Sequence, residues 1–572
     1  MLFEVTARDG LARTGVLDIG GKRFKTPALV YPSGEVPEIP DGALRVGLSG
    51  GSGRGDMVIG TSGFFDGPSQ PEPGLHIDIG FRGSPYATSR PDGPVVMLEG
   101  IARSLLDSRK FVESISHLKE GDGLTSPAYC SVMGLPHRIA FLAYCGLDLF
   151  DAVPLVMAAE NGVYLTDSGT VVFDDADELP CSCPACASGK RGKEELLAHN
   201  LQAVENEVRR VRHAIAGGRL RELVEIRVRT DPWLVQNLRI MDLEMYDLQE
   251  MYASVSGAEF LAGSKESLSR PDVLRWRRRL VERYERPRSA RALVLLPCSA
   301  KKPYSKSRSH RRFREAIELS GRATAVHEVV VTSPLGLVPR ELEYFYPARH
   351  YDIPVTGHWD MDEVRMVQEM VSWLVSKNEY DLVVSHLGDE SVAVNEVLDD
   401  FEDTSSGDPG SRESLLRLER TLSDRLQEPG PNRHARLADD LRSLSVFQFG
   451  EEGTALADGC ETSGRWPNVR LMRSRTQLGM YTGDRGMISL TVEGGRALCG
   501  SREYVVDIAD FVPKGNLFAV GVDGAGPKIR VGDDVVIAHG DDVRAVGVAR
   551  MCSREMVLAQ RGEAVHIRHV VG

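Results

Sequence analysis

The stretch Pro297-Cys298-Ser299-Ala300-Lys301-Lys302-Pro303-Tyr304-Ser305-Lys306-Ser307-Arg308-Ser309-His310 decides how the rest of the chain is read. An apolar run that leans to β-branched residues, Ala292-Leu293-Val294-Leu295-Leu296, leads into it and reads as a buried strand. Beyond it, Ser307 or Ser309 can cap a helix that continues through Phe313, Ile317 and Leu319. Cys298, Ser299, Lys302, Tyr304 and His310 therefore fall on one strand-to-helix loop. In open α/β sheets, ligands collect just outside the carboxyl ends of the strands. A thiol, hydroxyls, an amine and an imidazole gathered there suggest chemistry. The plainer reading keeps the loop as a connection, with Cys298 as a small core residue.

Outward from this loop, residues 292 to about 426 run strand, helix, strand, helix, strand. Strands are expected at 293–296, 327–331 and 381–385, with helices over 362–376 and near Asn395. That order predicts a compact three-layer α/β domain on a parallel sheet. Toward the N-terminus, residues 3 to about 30 alternate as hairpins do, with turns at Asp9-Gly10 and Gly20-Gly21. Residues 31–90 are rich in Gly and Pro. Their Gly47-Leu48-Ser49-Gly50-Gly51-Ser52-Gly53-Arg54-Gly55 lacks the Gly-Lys-Ser/Thr ending of a phosphate loop and reads as a surface loop. From 136 to 166 the pattern returns to α/β, with a helix through Ala140 to Tyr144 and then Leu147-Asp148-Leu149-Phe150-Asp151.

Cys181-Ser182-Cys183-Pro184-Ala185-Cys186 follows, with His199 on a helix that begins near Lys193. Three thiolates in so short a turn can reach one ion, and the imidazole completes a tetrahedral set. The same helix carries a packing stripe of Leu196, Leu197, Leu201, Val204, Val208 and Val211, and stops at Gly217-Gly218. Residues 234 to about 252 are helical, and 275–291 read as a basic connector. From 469 to 498 the strands are short, with a turn at Gly483-Asp484, and 504–572 alternate as a small β-barrel does.

At 572 residues the chain has room for roughly three to five domains. Its 42% hydrophobic and 26% charged content is that of a soluble globular protein, and no run approaches a membrane span. The opening Met1-Leu2-Phe3-Glu4-Val5-Thr6 has neither a basic leader nor a secretory apolar core, so a cytoplasmic protein is expected. The net charge of −13 gives no global sign of a nucleic-acid partner, but local patches count for more. Those patches are Arg209, Arg210 and Arg212; Arg275, Arg277, Arg278 and Arg279; and Lys306, Arg308, Arg311, Arg312 and Arg314. Nine unevenly spaced cysteines favour metal binding or catalysis over a disulfide framework.

The stretch 297–310 resembles the signature Pro-Cys-Ser-x-x-Lys-Pro-Tyr-x-x-Ser-x-Ser-His of the archaeosine synthase family, archaeal tRNA-modifying relatives of tRNA-guanine transglycosylase. A second stretch similar to that family is Tyr346-Pro347-Ala348-Arg349-His350-Tyr351-Asp352-Ile353-Pro354-Val355-Thr356-Gly357. The N-terminal half resembles transglycosylases in Arg8-Asp9-Gly10-Leu11-Ala12-Arg13-Thr14-Gly15, in Thr26-Pro27-Ala28, and in Leu147-Asp148-Leu149-Phe150-Asp151, where Asp151 occupies the nucleophile's place. The partner acid/base is replaced: Thr61-Ser62-Gly63-Phe64-Phe65-Asp66 stands where the family has Asp-Ser-Gly-Gly-Phe-Gln, which reads Asp151 as a remnant or a tRNA-positioning group. Cys181, Cys183, Cys186 and His199-Asn200 resemble the transglycosylase zinc motif, which implies a structural zinc. Phe511-Val512-Pro513-Lys514-Gly515 and Ile529-Arg530-Val531-Gly532-Asp533-Asp534-Val535-Val536 are similar to a PUA domain.

The resemblance thus implies an α/β multidomain protein in four parts. A truncated or modified TIM-barrel-like transglycosylase domain with the zinc site spans 1–284, and the three-layer α/β catalytic domain spans 285–430. A small α+β domain follows at 431–500, and a PUA β-barrel that grips RNA at 501–572. The implied substrate is tRNA carrying 7-cyano-7-deazaguanine at position 15, and the implied reaction is addition of an amine to the nitrile, giving an amidine. Free lysine is the first donor, with glutamine or ammonia as alternatives; a separate lyase would process the lysine adduct. Transglycosylase relatives also imply a homodimer. Within the loop, His310 is the expected base or proton shuttle, and Ser299, Tyr304 or Lys302 the donor to the nitrile nitrogen. Cys298 is either a positioning group or a nucleophile that forms a thioimidate. Two other readings stand beside this one: a transglycosylase that inserts the cyano base, and a noncatalytic tRNA-binding protein.

Overall fold

The computed structural model describes residues 1–32, 43–48, 57–59, 79–82, 95–98, 107–119, 121–172, 178–354, 358–405 and 407–571. The motif at 61–66 and most of the Gly-rich stretch at 47–55 lie outside the described residues. Two compact units emerge, one mainly of residues 1–253 and one mainly of 254–572. Among the described residues no helix is long and apolar enough to cross a membrane.

The first unit opens with an antiparallel sheet of β1 (Leu2–Asp9), β2 (Ala12–Ile19) and β3 (Lys22–Thr26). Its turns fall where expected, on Gly10 at φ +62° and on Gly20 and Gly21 at φ +59° and +88°. Seven parallel strands follow: β4 (Ala28–Pro32), β5 (Arg45–Leu48), β6 (Met57–Ile59), β7 (Ile79–Arg82), β8 (Val95–Leu98), β9 (Ala128–Cys130) and β10 (Leu149–Asp151). Their order is β6-β5-β4-β10-β9-β8-β7. The last strand thus pairs with the first, and β6 approaches β7 without joining it in the sheet. This is the circular succession of a (β/α) barrel with an open seam, as the truncated-barrel reading expected. Arg13 on β2 fixes the hairpins to the closing strand: it donates through Nε (3.1 Å) and Nη2 (2.9 Å) to the buried Asp148, which also accepts from the Ala128 amide. Helices α1 (Ser108–Leu118) and α2 (Pro136–Tyr144) pack outside the strands; β11 (Val163–Thr166) and β12 (Gly169–Val172) form a hairpin beside the long helix α3 (Lys193–Ala216). The stripe of α3 is buried as its spacing predicted.

The second unit begins with β13 (Phe260–Leu261) and α4 (Pro271–Arg283). This helix corrects the basic connector expected at 275–291. Arg275 and Arg279 are buried, and Trp276 packs inward to donate to the Leu337 carbonyl at 2.9 Å, so half of that basic patch belongs to the interior. The central sheet has the order β16-β15-β14-β18-β19, from β14 (Ala292–Pro297), β15 (Val326–Thr332), β16 (Gly336–Pro339), β18 (Leu382–Ser385) and β19 (Glu402–Asp403); β17 (Tyr351–Asp352) pairs with β13 instead. β14, β15, β18 and β19 are parallel, whereas β16 turns back antiparallel on β15, a hairpin too short and apolar to stand out in sequence. Ala292, Val294 and Leu296 pack beneath α5 (Arg308–Leu319), with α7 (Arg412–Arg425) alongside. Leu293 and Leu295 alternate to the other face. On the β16 side, Gly336 meets Met366 and Met370 of α6 (Met361–Lys377). The three layers are those the periodicity predicted.

Helix α8 (Arg433–Phe449) carries the chain onward, with Phe447 edge-on to Trp276. The antiparallel strands β20 (Glu461–Arg465), β21 (Asn468–Arg473), β22 (Thr476–Thr482) and β23 (Met487–Leu490) end in a short helix, Val492–Leu498. The last sheet, β25-β29-β28-β27-β24-β26, is built from β24 (Val505–Asp507), β25 (Leu517–Phe518), β26 (Gly524–Ala525), β27 (Asp534–His539), β28 (Asp542–Ala549) and β29 (Glu563–Val570).

Candidate active site and metal site

β14 lies between β15 and β18. The chain leaves it first to one side and later to the other, so its carboxyl end is a topological switch point. A cavity of about 240 Å³ opens there. Cys298 follows β14 and Ser333 follows β15; both line it, together with Lys265, Ile353, His358, Asp360 and Glu363. Glu363 and Asp360 form the capping box of α6, and the Glu363 carboxylate also accepts from the Ser333 hydroxyl at 2.6 Å.

Lys302 lies close enough to Cys298 and Asp352 for their charges to act on it. Burial lowers its pKa despite both, which makes the neutral amine more available. Its Nζ stands 4.1 Å from the centroid of the Tyr351 ring. Ser299 is half-buried and donates to the Lys301 carbonyl at 3.1 Å. Tyr304 is fully buried, its hydroxyl bonded to that of Tyr351. Ser307 caps α5 by accepting from the His310 amide at 3.1 Å, one of the two caps expected.

His310, the expected base, sits in the interior. It is only 1% exposed and does not line the cavity. Arg340 donates to its Nδ1 at 2.9 Å, so that nitrogen is an acceptor already in use. Burial and the Arg340 charge push its pKa far below the usual range, against weaker pulls from Glu328 and the Pro297 carbonyl. A neutral imidazole buried in this way lies outside the cavity wall. The signature residues thus separate into Cys298 in the cavity wall, Lys302 near Cys298, a half-buried Ser299, and Tyr304 and His310 in the interior. Ser333 went unremarked in sequence, and Tyr351 stood there only as a member of the second stretch. The strand-end rule that singled out Cys298 also applies to Ser333, one residue past the end of β15.

In the first unit, Asp151 ends β10 and is completely buried. Its oxygens accept from the Tyr129 hydroxyl (3.1 Å), the Val132 amide (2.8 Å) and the Val153 amide (3.0 Å). The carboxylate is engaged by its own neighbours. The ligand atoms of Cys181, Cys183, Cys186 and His199 all lie within 4.8 Å of one another. His199 Nε2 bonds to the Leu165 carbonyl at 2.9 Å, which leaves the Nδ1 lone pair facing Cys186 Sγ at 3.4 Å and Cys183 Sγ at 3.6 Å. Tyr164 stacks on the imidazole, its ring centroid 3.7 Å away, and Asn200 holds both the Leu165 amide and the Val163 carbonyl. This Cys3His set fits a tetrahedral metal ion, with its imidazole oriented from behind.

Comparison with known proteins places these features. The chain is 33% identical over 627 residues to the archaeosine synthase subunit alpha of Methanosarcina acetivorans, covering 99% of each protein. The chain belongs to the archaeosine synthase family. The archaeosine synthase of Haloferax volcanii is 35% identical over 599 residues, again with 99% of each covered. A tRNA-guanine(15) transglycosylase of Methanothermobacter thermautotrophicus is 28% identical over 501 residues, covering 82% of this chain and 68% of that protein. Residues 87–232 match the family model for queuine tRNA-ribosyltransferase, 506–571 that of the PUA domain, and 273–422 a family described as a domain of unknown function. In this archaeosine synthase family member, Cys298, Ser333 and Glu363 of the cavity wall fall inside that third match, whereas Lys265 precedes it.

Proposed function

We propose that this chain modifies tRNA in archaeosine biosynthesis by adding an amine, free lysine first and glutamine or ammonia next, to the nitrile of 7-cyano-7-deazaguanine. Family membership supports the tRNA substrate. The observation that carries the chemistry is the cavity at the β14 carboxyl end, with Cys298 in its wall and Lys302 beside it. In this reading the Cys298 thiolate adds to the nitrile carbon while the Lys302 ammonium gives a proton to the nitrile nitrogen, forming a thioimidate and a neutral Lys302. The donor amine then adds to the same carbon and the carbon–sulfur bond breaks. The thiolate leaves, and Lys302 takes the proton that the donor nitrogen sheds. The product is an amidine, and both side chains return to their starting state. A lysine whose pKa is lowered by burial is neutral more often than an exposed one, and the neutral amine is the form that accepts that proton.

The catalytic residues are assigned to 285–430. The transglycosylase-like part at 1–284, the small domain at 431–500 and the PUA part at 501–572 hold RNA and scaffold. Cys181, Cys183, Cys186 and His199 would hold a structural zinc, since four protein ligands leave no open position for water activation. Asp151, held by three hydrogen bonds from its own neighbours, fits a remnant or positioning group better than a nucleophile. The test is nucleoside mass spectrometry after incubating cyano-modified tRNA and lysine with wild-type protein and with Cys298→Ala. A mass gain of one lysine in the wild type, lost in the variant with tRNA binding intact, is expected. No adduct with lysine, glutamine or ammonia sinks the proposal.

A further inference from the structure

The second family-like stretch, 346–357, supplies none of the groups used in the chemistry above, yet part of it is placed against the signature loop. We propose that Tyr351 is a positioning residue whose ring face directs the Lys302 ammonium toward Cys298. The ring centroid lies 4.1 Å from Lys302 Nζ, the geometry of a cation held over an aromatic face. The ring itself is fixed by contacts that do not involve Lys302. Its backbone is pinned where β17 pairs with β13, Tyr351 opposite Phe260. Its hydroxyl is hydrogen-bonded to Thr332 Oγ1 at 2.7 Å and to the Tyr304 hydroxyl, and Thr332 Oγ1 in turn donates to the Ser333 carbonyl at 3.0 Å. These bonds join the signature loop, the second stretch and the end of β15, and Tyr351 is 2% exposed. A ring held from three segments gives a flexible lysine stem one preferred direction.

The activity arm of the test rests on the proposed amidine-forming reaction; the labelling arm does not. Full-length wild type, Tyr351→Phe and Tyr351→Leu are treated with an amine-reactive reagent across a pH series, and Lys302 labelling is read by peptide mass spectrometry. Phe keeps the ring face, so its labelling midpoint and adduct rate are expected to stay within about 3-fold of wild type. Leu removes the face but not the burial. Its midpoint is expected to fall by about 0.5 pH unit and its adduct rate roughly 10-fold, with tRNA Kd unchanged, as loss of a cation–π contact implies. A Leu variant that labels and reacts like wild type overturns the proposal, as does a Phe variant that falls as far as Leu. Absence of adduct in every protein defeats the functional reading alone, and the labelling midpoints still decide Tyr351. If the Leu variant lacks a native circular-dichroism spectrum, Tyr351→Met, a flexible apolar filler, replaces it.

Discussion

Buried behind the signature loop, Arg340 donates to Glu328 at 2.9 Å, to Glu343 at 3.0 Å and to His310 Nδ1 at 2.9 Å, while Glu343 also accepts from the Ser305 amide at 2.8 Å. Burial alone would raise the Glu328 pKa, but Arg340 and Arg314 overcome it and hold it at about 2 instead of 4.5. The unfolded chain therefore binds a proton at this carboxyl that the folded one refuses. The stability it contributes, about 3 kcal/mol, is full above pH 4.5 and is lost as pH falls toward 2. Glu328→Gln is expected to remove about that much at pH 7 and to flatten this part of the acid limb in urea titrations; an unchanged limb would place the charge elsewhere. His310→Asn keeps an acceptor near the Nδ1 position, so adduct formation is expected to stay within about 10-fold of wild type, whereas loss of a general base costs about 100-fold or more. The adduct rate distinguishes the two. Cys298 and Lys302 were legible because strand, loop and cap are contiguous. The burial of His310 was not, since Arg340 arrives from 30 residues away.

Two elements carry consequences beyond single residues. The Cys3His group joins the turn at 181–186 to α3, with Tyr164 of β11 stacked on His199. Zinc present at a thousandfold over its Kd stabilises the folded form by about 4 kcal/mol, on the order of 10 °C in Tm for a unit of this size. Chelation is expected to lower the first melting transition by that amount, and Cys186→Ser to abolish its response to added zinc; a melt indifferent to chelator refutes a structural ion. The cluster was plain in sequence because its thiols are adjacent. The face His199 uses was not, because the Leu165 carbonyl selects it. In α5, Arg308, Arg311 and Arg312 are exposed near the positive end of the helix, where cations are disfavoured. Arg210 and Arg212 of another patch are instead engaged with Asp167, Glu207 and the Pro27 carbonyl. The α5 arginines follow directly from the loop that lines the cavity, which suits them to tRNA phosphate. Replacing all three by Gln is expected to weaken tRNA binding and to reduce the slope of log K against log salt by about 2–3, with the maximal adduct rate unchanged. An unaltered slope removes α5 from the interface.

At the scale of the whole chain, the three-layer domain was readable because its three central strands, β14, β15 and β18, and the helices α5 and α6 each announce themselves within ten or twenty residues. The division at residue 500 depends on contacts that no local pattern contains. The helix Val492–Leu498 is wedged between sheets: a Cβ on Gly494 would meet the Leu478 carbonyl of β22, and one on Gly495 would meet Val546 of β28 at 2.7 Å. Asp534, fully buried at the start of β27, accepts from the Leu490 amide at 2.9 Å and pairs with Arg485 before the division and Arg568 after it. These partners lie far apart in sequence, so 431–500 and 501–572 share an interior even though they read as separate modules. Removing one member of a buried ion group leaves the others desolvated and costs about 3–5 kcal/mol. Asp534→Ala is therefore expected to lower the urea midpoint of β20–β23 and of the terminal barrel together, and a chain ended at residue 500 to lose the fold of β20–β23. Independent modules would behave otherwise: the shortened chain would keep the full-length midpoint for that sheet, and Asp534→Ala would shift only the barrel. Hydrogen exchange read by peptide mass spectrometry separates these outcomes, because it follows β20–β23, where Trp466 stacks on Tyr481 with ring centroids 4.6 Å apart, apart from the strands of the terminal barrel.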